Sequence, residues 1–301
     1  MASRDELIAL GKRVGASPAS GGPRVATPLA GPHRSRFHGP GMEFAEVRAY
    51  QPGDDIRTID WRVTARTGRA HSKLFEAERE RPAWFVVDLG QTMQFATRGA
   101  FKSVAAARAV SLMAWQAHLA GEPIGGSIRS PESALDLTTG RTRRHLMRFL
   151  DRLASGTRLS QDATSPSALG EQLEWVRRRA RSGSRIIVAS DFYALDDEVL
   201  RNLRSLARRC ESTFVWIYDA LEAEAPPPGR YRVSDGRHTE SLVAKRASAW
   251  RERYRSEFEA RRRTLRKLAR DTHATLIPMR TDEPAEKVLD PRLSGSVAEA
   301  V

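Results

Sequence analysis

Cysteine is nearly absent from this chain: Cys210 is the single thiol in 301 residues. One thiol excludes an internal disulfide, and the expected compartment is therefore the cytoplasm. No run of about 18 apolar residues occurs, so no transmembrane helix is expected. The opening Met1-Ala2-Ser3-Arg4-Asp5-Glu6 lacks the basic-then-apolar pattern of a secretory signal. Catalytic signatures are missing too. There is no Gly-Lys-Ser/Thr phosphate loop, no His-Glu-x-x-His, no paired cysteines and no Gly-x-Ser-x-Gly elbow. The seven histidines are scattered without metal-ligand spacing. Internal repeats and low-complexity tracts are also lacking.

Positive charge is abundant. Fifty Lys and Arg against 37 Asp and Glu leave a net charge of +13. Such a balance attracts polyanions or an acidic protein. The basic residues are dispersed over Arg141–Arg148, Arg177–Arg185, Arg201–Arg209 and Arg251–Arg270, which also fits solvated helix faces. The two aromatics within these runs, Tyr254 and Phe258, sit at helical core spacing, so no base-stacking platform interleaves with the basic residues. Hydrophobic residues at 40% and charged residues at 29% describe an ordinary globular chain.

Residues 11–41 are rich in Gly, Pro, Ser and Ala, so a flexible lead-in is expected over 1–36, with one short helix near Asp5–Lys12. A β-rich extension follows at 37–80. From Ala83 onward, short apolar runs alternate with helical patterns. Trp84–Val87, Ile186–Ala189 and Thr213–Tyr218 read as buried parallel strands. Pro123–Ile128 and Ser133–Leu137 read as a strand pair, and Tyr231–Leu242 as a hairpin around Asp235-Gly236. Helices are expected at Arg98–Ala120, Arg141–Ala154, Ser165–Arg181, Asp196–Arg209 and Lys245–Asp271. This alternation predicts an α/β domain over 81–282: a mostly parallel sheet covered by helices, with a small hairpin insertion and a tail at 283–301.

The densest pattern is Arg-Ala-Tyr-Gln-Pro-Gly-Asp-Asp-Ile-Arg-Thr-Ile-Asp-Trp-Arg-Val-Thr-Ala-Arg, from Arg48 to Arg66. Pro52-Gly53 is a turn signal. Arginine forks match carboxylates bidentately, so the run reads either as a self-paired structural knot or as a recognition surface. Its candidate residues are Arg48, Tyr50, Gly53, Asp54, Arg57, Asp60, Trp61 and Arg66.

This run resembles the hallmark of the bacterial domain of unknown function 58 family, as do Gly39–Phe44 before it and Val87–Met93 after it. The resemblance extends over roughly residues 37–282. It implies a von Willebrand factor A-like fold and partnership with a MoxR-type AAA+ ATPase that acts on a client complex.

Three predicted strands end in aspartate: Asp88, Asp191 and Asp219. Open α/β sheets bind ligands beyond the carboxyl ends of their strands, and carboxylates gathered there repel unless a cation sits among them. A divalent ion such as Mg²⁺ is one answer, and an arginine is another. The resemblance implies a metal site of the Asp-x-Ser-x-Ser type. Asp88, Thr92 and Asp191 match it, Gly90 lacks the first hydroxyl, and Thr157 or Thr164 would supply the loop threonine. The alternative is a metal-free relic in which Asp88 caps a turn. The expected function is a non-enzymatic interaction module. Polyanion binding and metal-dependent hydrolysis are the competing readings.

Overall fold

The computed structural model describes residues 1–16, 42–51, 56, 59–77, 81–159, 169–224, 226–234, 239–244 and 248–289. The chain divides into two compact units, one formed by Met1–Gly22 with Arg81–Val301, the other by Pro23–Glu80.

The larger unit is built on a six-stranded sheet. Its strands are β3 (Ala83–Asp88), β4 (Ile124–Ser130), β5 (Ser133–Gly140), β6 (Arg185–Ser190), β7 (Glu211–Tyr218) and β10 (Thr275–Arg280). The spatial order is β10-β7-β6-β3-β4-β5. All neighbours are parallel except β4 and β5, which form the antiparallel edge pair. Counted from β3, this is the doubly wound order 3-2-1-4-5-6, whose switch point lies between β3 and β6.

Continuous apolar runs make these strands because both sheet faces are covered. Along β3, Phe85 and Val87 enter one core while Trp84 and Val86 enter the other. The first core packs α1 (Arg4–Ala16), α3 (Lys102–Leu119) and α4 (Arg143–Gly156). The second packs α5 (Leu169–Arg179), α6 (Asp197–Ala207) and α8 (Ser248–Thr272). On α8, Phe258, Leu265 and Leu268 are buried, as the helical spacing predicts. Gly121 takes a left-handed φ of 75° just past the end of α3. The predicted hairpin is present as β8 (Gly229–Ser234) against β9 (Thr239–Ala244); its turn, Asp235-Gly236, lies outside the described residues.

Two boundaries differ from the sequence reading. The lead-in expected over 1–36 begins with a packed helix: Leu7 of α1 is fully buried, and its carbonyl accepts from Ser111 Oγ and Trp115 Nε1. Gly11 is required there, since a Cβ would stand 2.4 Å from the Trp115 ring. The expected tail likewise begins with α9 (Ala285–Leu289), where Ala285 is buried and Glu286 pairs with Arg13 at 2.6 Å. The opening helix was expected but its packing was not: Leu7 and Leu10 find their place only in the core of the larger unit.

The smaller unit is an antiparallel pair, β1 (Met42–Ala49) with β2 (His71–Ala77), spanned by α2 (Trp61–Thr67). Asp60 caps α2, its Oδ1 accepting from the backbone N–H groups of Arg62 and Val63. Gly68 ends the helix in the left-handed region, at φ 71°.

Candidate functional site

The switch point gathers a buried polar cluster at the carboxyl ends of β3 and β6. Asp88 ends β3 and is 2% exposed. Its Oδ1 accepts from Gly90 N–H at 2.9 Å, and its Oδ2 accepts from Ser190 Oγ at 2.9 Å. Burial and the neighbouring Asp191 raise the Asp88 pKa from 3.8 to about 6, against the opposing pull of those hydrogen bonds and of Lys102. Asp191 is equally buried; its Oδ1 accepts from Tyr193 N–H at 3.0 Å.

The cation among these carboxylates is Lys102. Its Nζ donates to Asp191 Oδ2 at 2.7 Å and to Glu222 Oε1 at 2.8 Å. The side chains of Lys102 and Asp191 are 2% and 1% exposed. Burial alone would strip the charge from this amine, but Asp191 and Glu222 outweigh it and raise the Lys102 pKa above its usual value. The ring of Phe95 lies 5.9 Å away on the loop leading to α3.

Glu222 is brought in by α7 (Ala220–Ala223), a single turn after β7. Asp219 caps that turn in a capping box with Glu222, whose Oε2 accepts from Asp219 N–H at 2.8 Å. Asp219 also accepts from Thr97 N–H at 2.9 Å and from Thr281 Oγ1 at 2.8 Å. Although burial works against its charge, these hydrogen bonds hold the Asp219 carboxyl below its usual range. The three strand-end aspartates thus share one rim, linked through Ser190, Lys102 and Glu222.

Thr92 lies exposed in the 3-10 turn Gln91–Met93. A Cβ on Gly90 would stand 3.0 Å from Asp88 Oδ1, which is tight for a serine. Thr157 caps α4, donating to Ala154 O and accepting from Ala2 N–H. Thr164 lies outside the described residues. Among the described residues, no three His, Cys, Asp or Glu side chains are grouped to hold a metal ion.

A strained link follows β6. Phe192 is fully buried at φ 49°, a left-handed conformation that a bulky residue adopts only when its surroundings enforce it. The next residue, Tyr193, is 63% exposed, with the Arg261 guanidinium 4.7 Å from its ring centre.

In the smaller unit, the signature run displays its apolar side chains. Trp61 is 68% exposed and Ile56 is 65% exposed. Tyr50 N–H bonds Ala70 O at 2.8 Å, and Asp60 N–H bonds His71 O at 2.8 Å. Arg66 is exposed in the last turn of α2, and Arg48 lies in β1 opposite Ser72. Gly53, Asp54 and Arg57 lie outside the described residues.

Together these features define a doubly wound α/β domain with an internally paired acidic rim, joined to a small β-α-β unit that carries the Arg-Asp-Trp signature. The chain belongs to the family described as "Protein of unknown function DUF58", which matches residues 46–264. Uncharacterized proteins of Mycobacterium bovis and Mycobacterium tuberculosis are 30% identical over 266 residues, spanning 84% of this chain and 79% of theirs. Among solved structures, the conserved hypothetical protein BatB from Bacteroides thetaiotaomicron is 15% identical and covers 71% of this chain and 97% of its own, with a TM-score of 0.44. An aerotolerance-related membrane protein from Bacteroides fragilis is 12% identical, covers 69% and 94%, and has a TM-score of 0.40. Likeness at that level assigns nothing, and the strand order carries the fold. Among the described residues, no helix is long and apolar enough to cross a membrane.

Proposed function

We propose that this chain is a non-enzymatic interaction module of von Willebrand factor A type. In this reading its partner is a MoxR-type AAA+ ATPase and the pair matures a client complex. The observation that carries the reading is the filled rim: Lys102, 2% exposed, engages Asp191 and Glu222 together. A cation already bonded on two sides offers neither a nucleophile nor a proton acceptor to a substrate. The sheet order supports the A-type assignment, and the resemblance of the signature run supports the partner. Exposed Trp61 supports a docking role, because tryptophan concentrates at binding hot spots. An ATP-driven partner places the pair in the cytoplasm.

The test is reconstitution with the purified MoxR-type ATPase of the same genome. Sedimentation with and without a slowly hydrolysed ATP analogue should show a complex that persists at about 0.2 M salt, where non-specific polyanion attraction has largely faded. Trp61→Ala should abolish it. No complex in either nucleotide state, or turnover of a small substrate dependent on Asp88, would sink the reading.

A further inference from the structure

An A-type domain with an intact metal pattern would hold a divalent ion at this rim, and the residues present here do not fit one. We propose that the Lys102 ammonium is the permanent cation of this site, standing where a metal-dependent relative would carry its ion, so that the rim works without metal. The proposal concerns the rim alone and stands apart from the identity of any partner.

Three observations converge on it. First, the ammonium is placed as a bridging ion would be. It joins Asp191 at the end of β6 to Glu222 on the turn after β7, at 2.7 and 2.8 Å. Second, Lys102 stands where local energetics oppose it. It is the first residue of the 18-residue helix α3, whose positive N-terminal end disfavours a cation. That end has no acidic residue in its first turn, and its N-cap Phe101 offers no side-chain cap. The carboxylates of Asp191 and Glu222, beyond the helix, compensate the charge. Third, among the described residues the hydroxyls of the metal pattern are not in place: residue 90 is glycine, where a Cβ would stand 3.0 Å from Asp88 Oδ1, and Thr92 is exposed. Ser190 Oγ donates to Asp88 and accepts from Phe192 N–H.

One consequence concerns recognition. A divalent ion with an open coordination position accepts a carboxylate from a visiting protein. A buried ammonium bonded to two resident carboxylates does not, so docking through a metal-bridged acidic residue is closed to this chain.

The experiment uses the full chain and Mn²⁺ as the probe. The wild-type melting temperature should be indifferent to millimolar Mn²⁺. Lys102→Ala should melt well below wild type and regain part of the loss saturably with Mn²⁺, because an ion that binds only the folded state stabilises it by mass action. The double variant Lys102→Ala/Asp191→Asn, which removes the cation and one carboxylate together, should melt above the single variant and lose the Mn²⁺ response. If Lys102→Ala does not fold, a folded double variant gives the same support. Three results overturn the proposal: a wild-type Mn²⁺ response abolished by Asp88→Asn, a folded Lys102→Ala protein indifferent to Mn²⁺, or a double variant no more stable than the single one.

Discussion

The switch-point rim and the signature unit use polar chemistry in opposite ways. At the rim, Asp88, Asp191 and Lys102 are buried and bonded to one another or to nearby backbone. In the signature unit, Asp60 caps α2, while Trp61 beside it is left in solvent. The two regions therefore carry different kinds of constraint. Side chains of the first are fixed by what surrounds them inside the chain, and a change there is read as stability. Among the described residues, the exposed Trp61 of the second belongs to no buried core, and a change there is read as binding.

The largest expected effect is at the rim. Lys102→Ala leaves Asp191 and Glu222 without their cation, and losing one partner of a buried pair costs about 3–5 kcal/mol. Urea unfolding followed by tryptophan fluorescence measures it. A loss below about 1 kcal/mol would erase the contrast between the two regions.

Next comes pH. The Asp88 carboxyl, raised from 3.8 to about 6, holds its proton more tightly in the folded state. It favours folding below its unfolded value, and that contribution is lost as pH rises through about 6. Asp88→Asn should therefore gain on wild type between pH 4 and pH 7, by on the order of 3 kcal/mol. Unfolding curves of both proteins across that range check it, and a flat difference would rule out Asp88 as the titrating group.

Asp60→Ala removes the cap of α2 and should cost about 1 kcal/mol, seen as faster hydrogen exchange over residues 61–67. A self-paired knot would make the loss larger, so the measured size decides between the two readings of the run. Smallest for stability is Trp61→Ala, within about 0.5 kcal/mol of wild type, with its whole effect on the complex with the ATPase. A melt several degrees lower would return Trp61 to the structural side.

The sheet was legible because strands covered on both faces must be apolar throughout; Phe85-Val86-Val87 and Ile186-Ile187-Val188 admit little else. Strand-end aspartates were legible too, since Asp88, Asp191 and Asp219 each break an apolar run. Lys102 was not. In sequence it opens an ordinary helix, and a lysine says nothing of its burial until β6 and α7 bring carboxylates to it from 89 and 120 residues away. A faint signal existed in Asp219-Ala-Leu-Glu222, a capping box straight after an apolar strand, which fixes a glutamate at the rim. The packed start of the chain escaped for a related reason: Leu7 and Gly11 make sense only beside Trp115.

That last pairing has a consequence for biosynthesis. The carbonyl of Leu7 waits for an indole 108 positions downstream. At a ribosomal pace of ~5–20 residues per second, about 5–20 s pass between the emergence of the two. Through that interval α1 has no groove to lie in, and the β1-α2-β2 segment is made before α3 is there to receive that helix. Helix α1 is thus made well before it can lock into the core that buries Leu7.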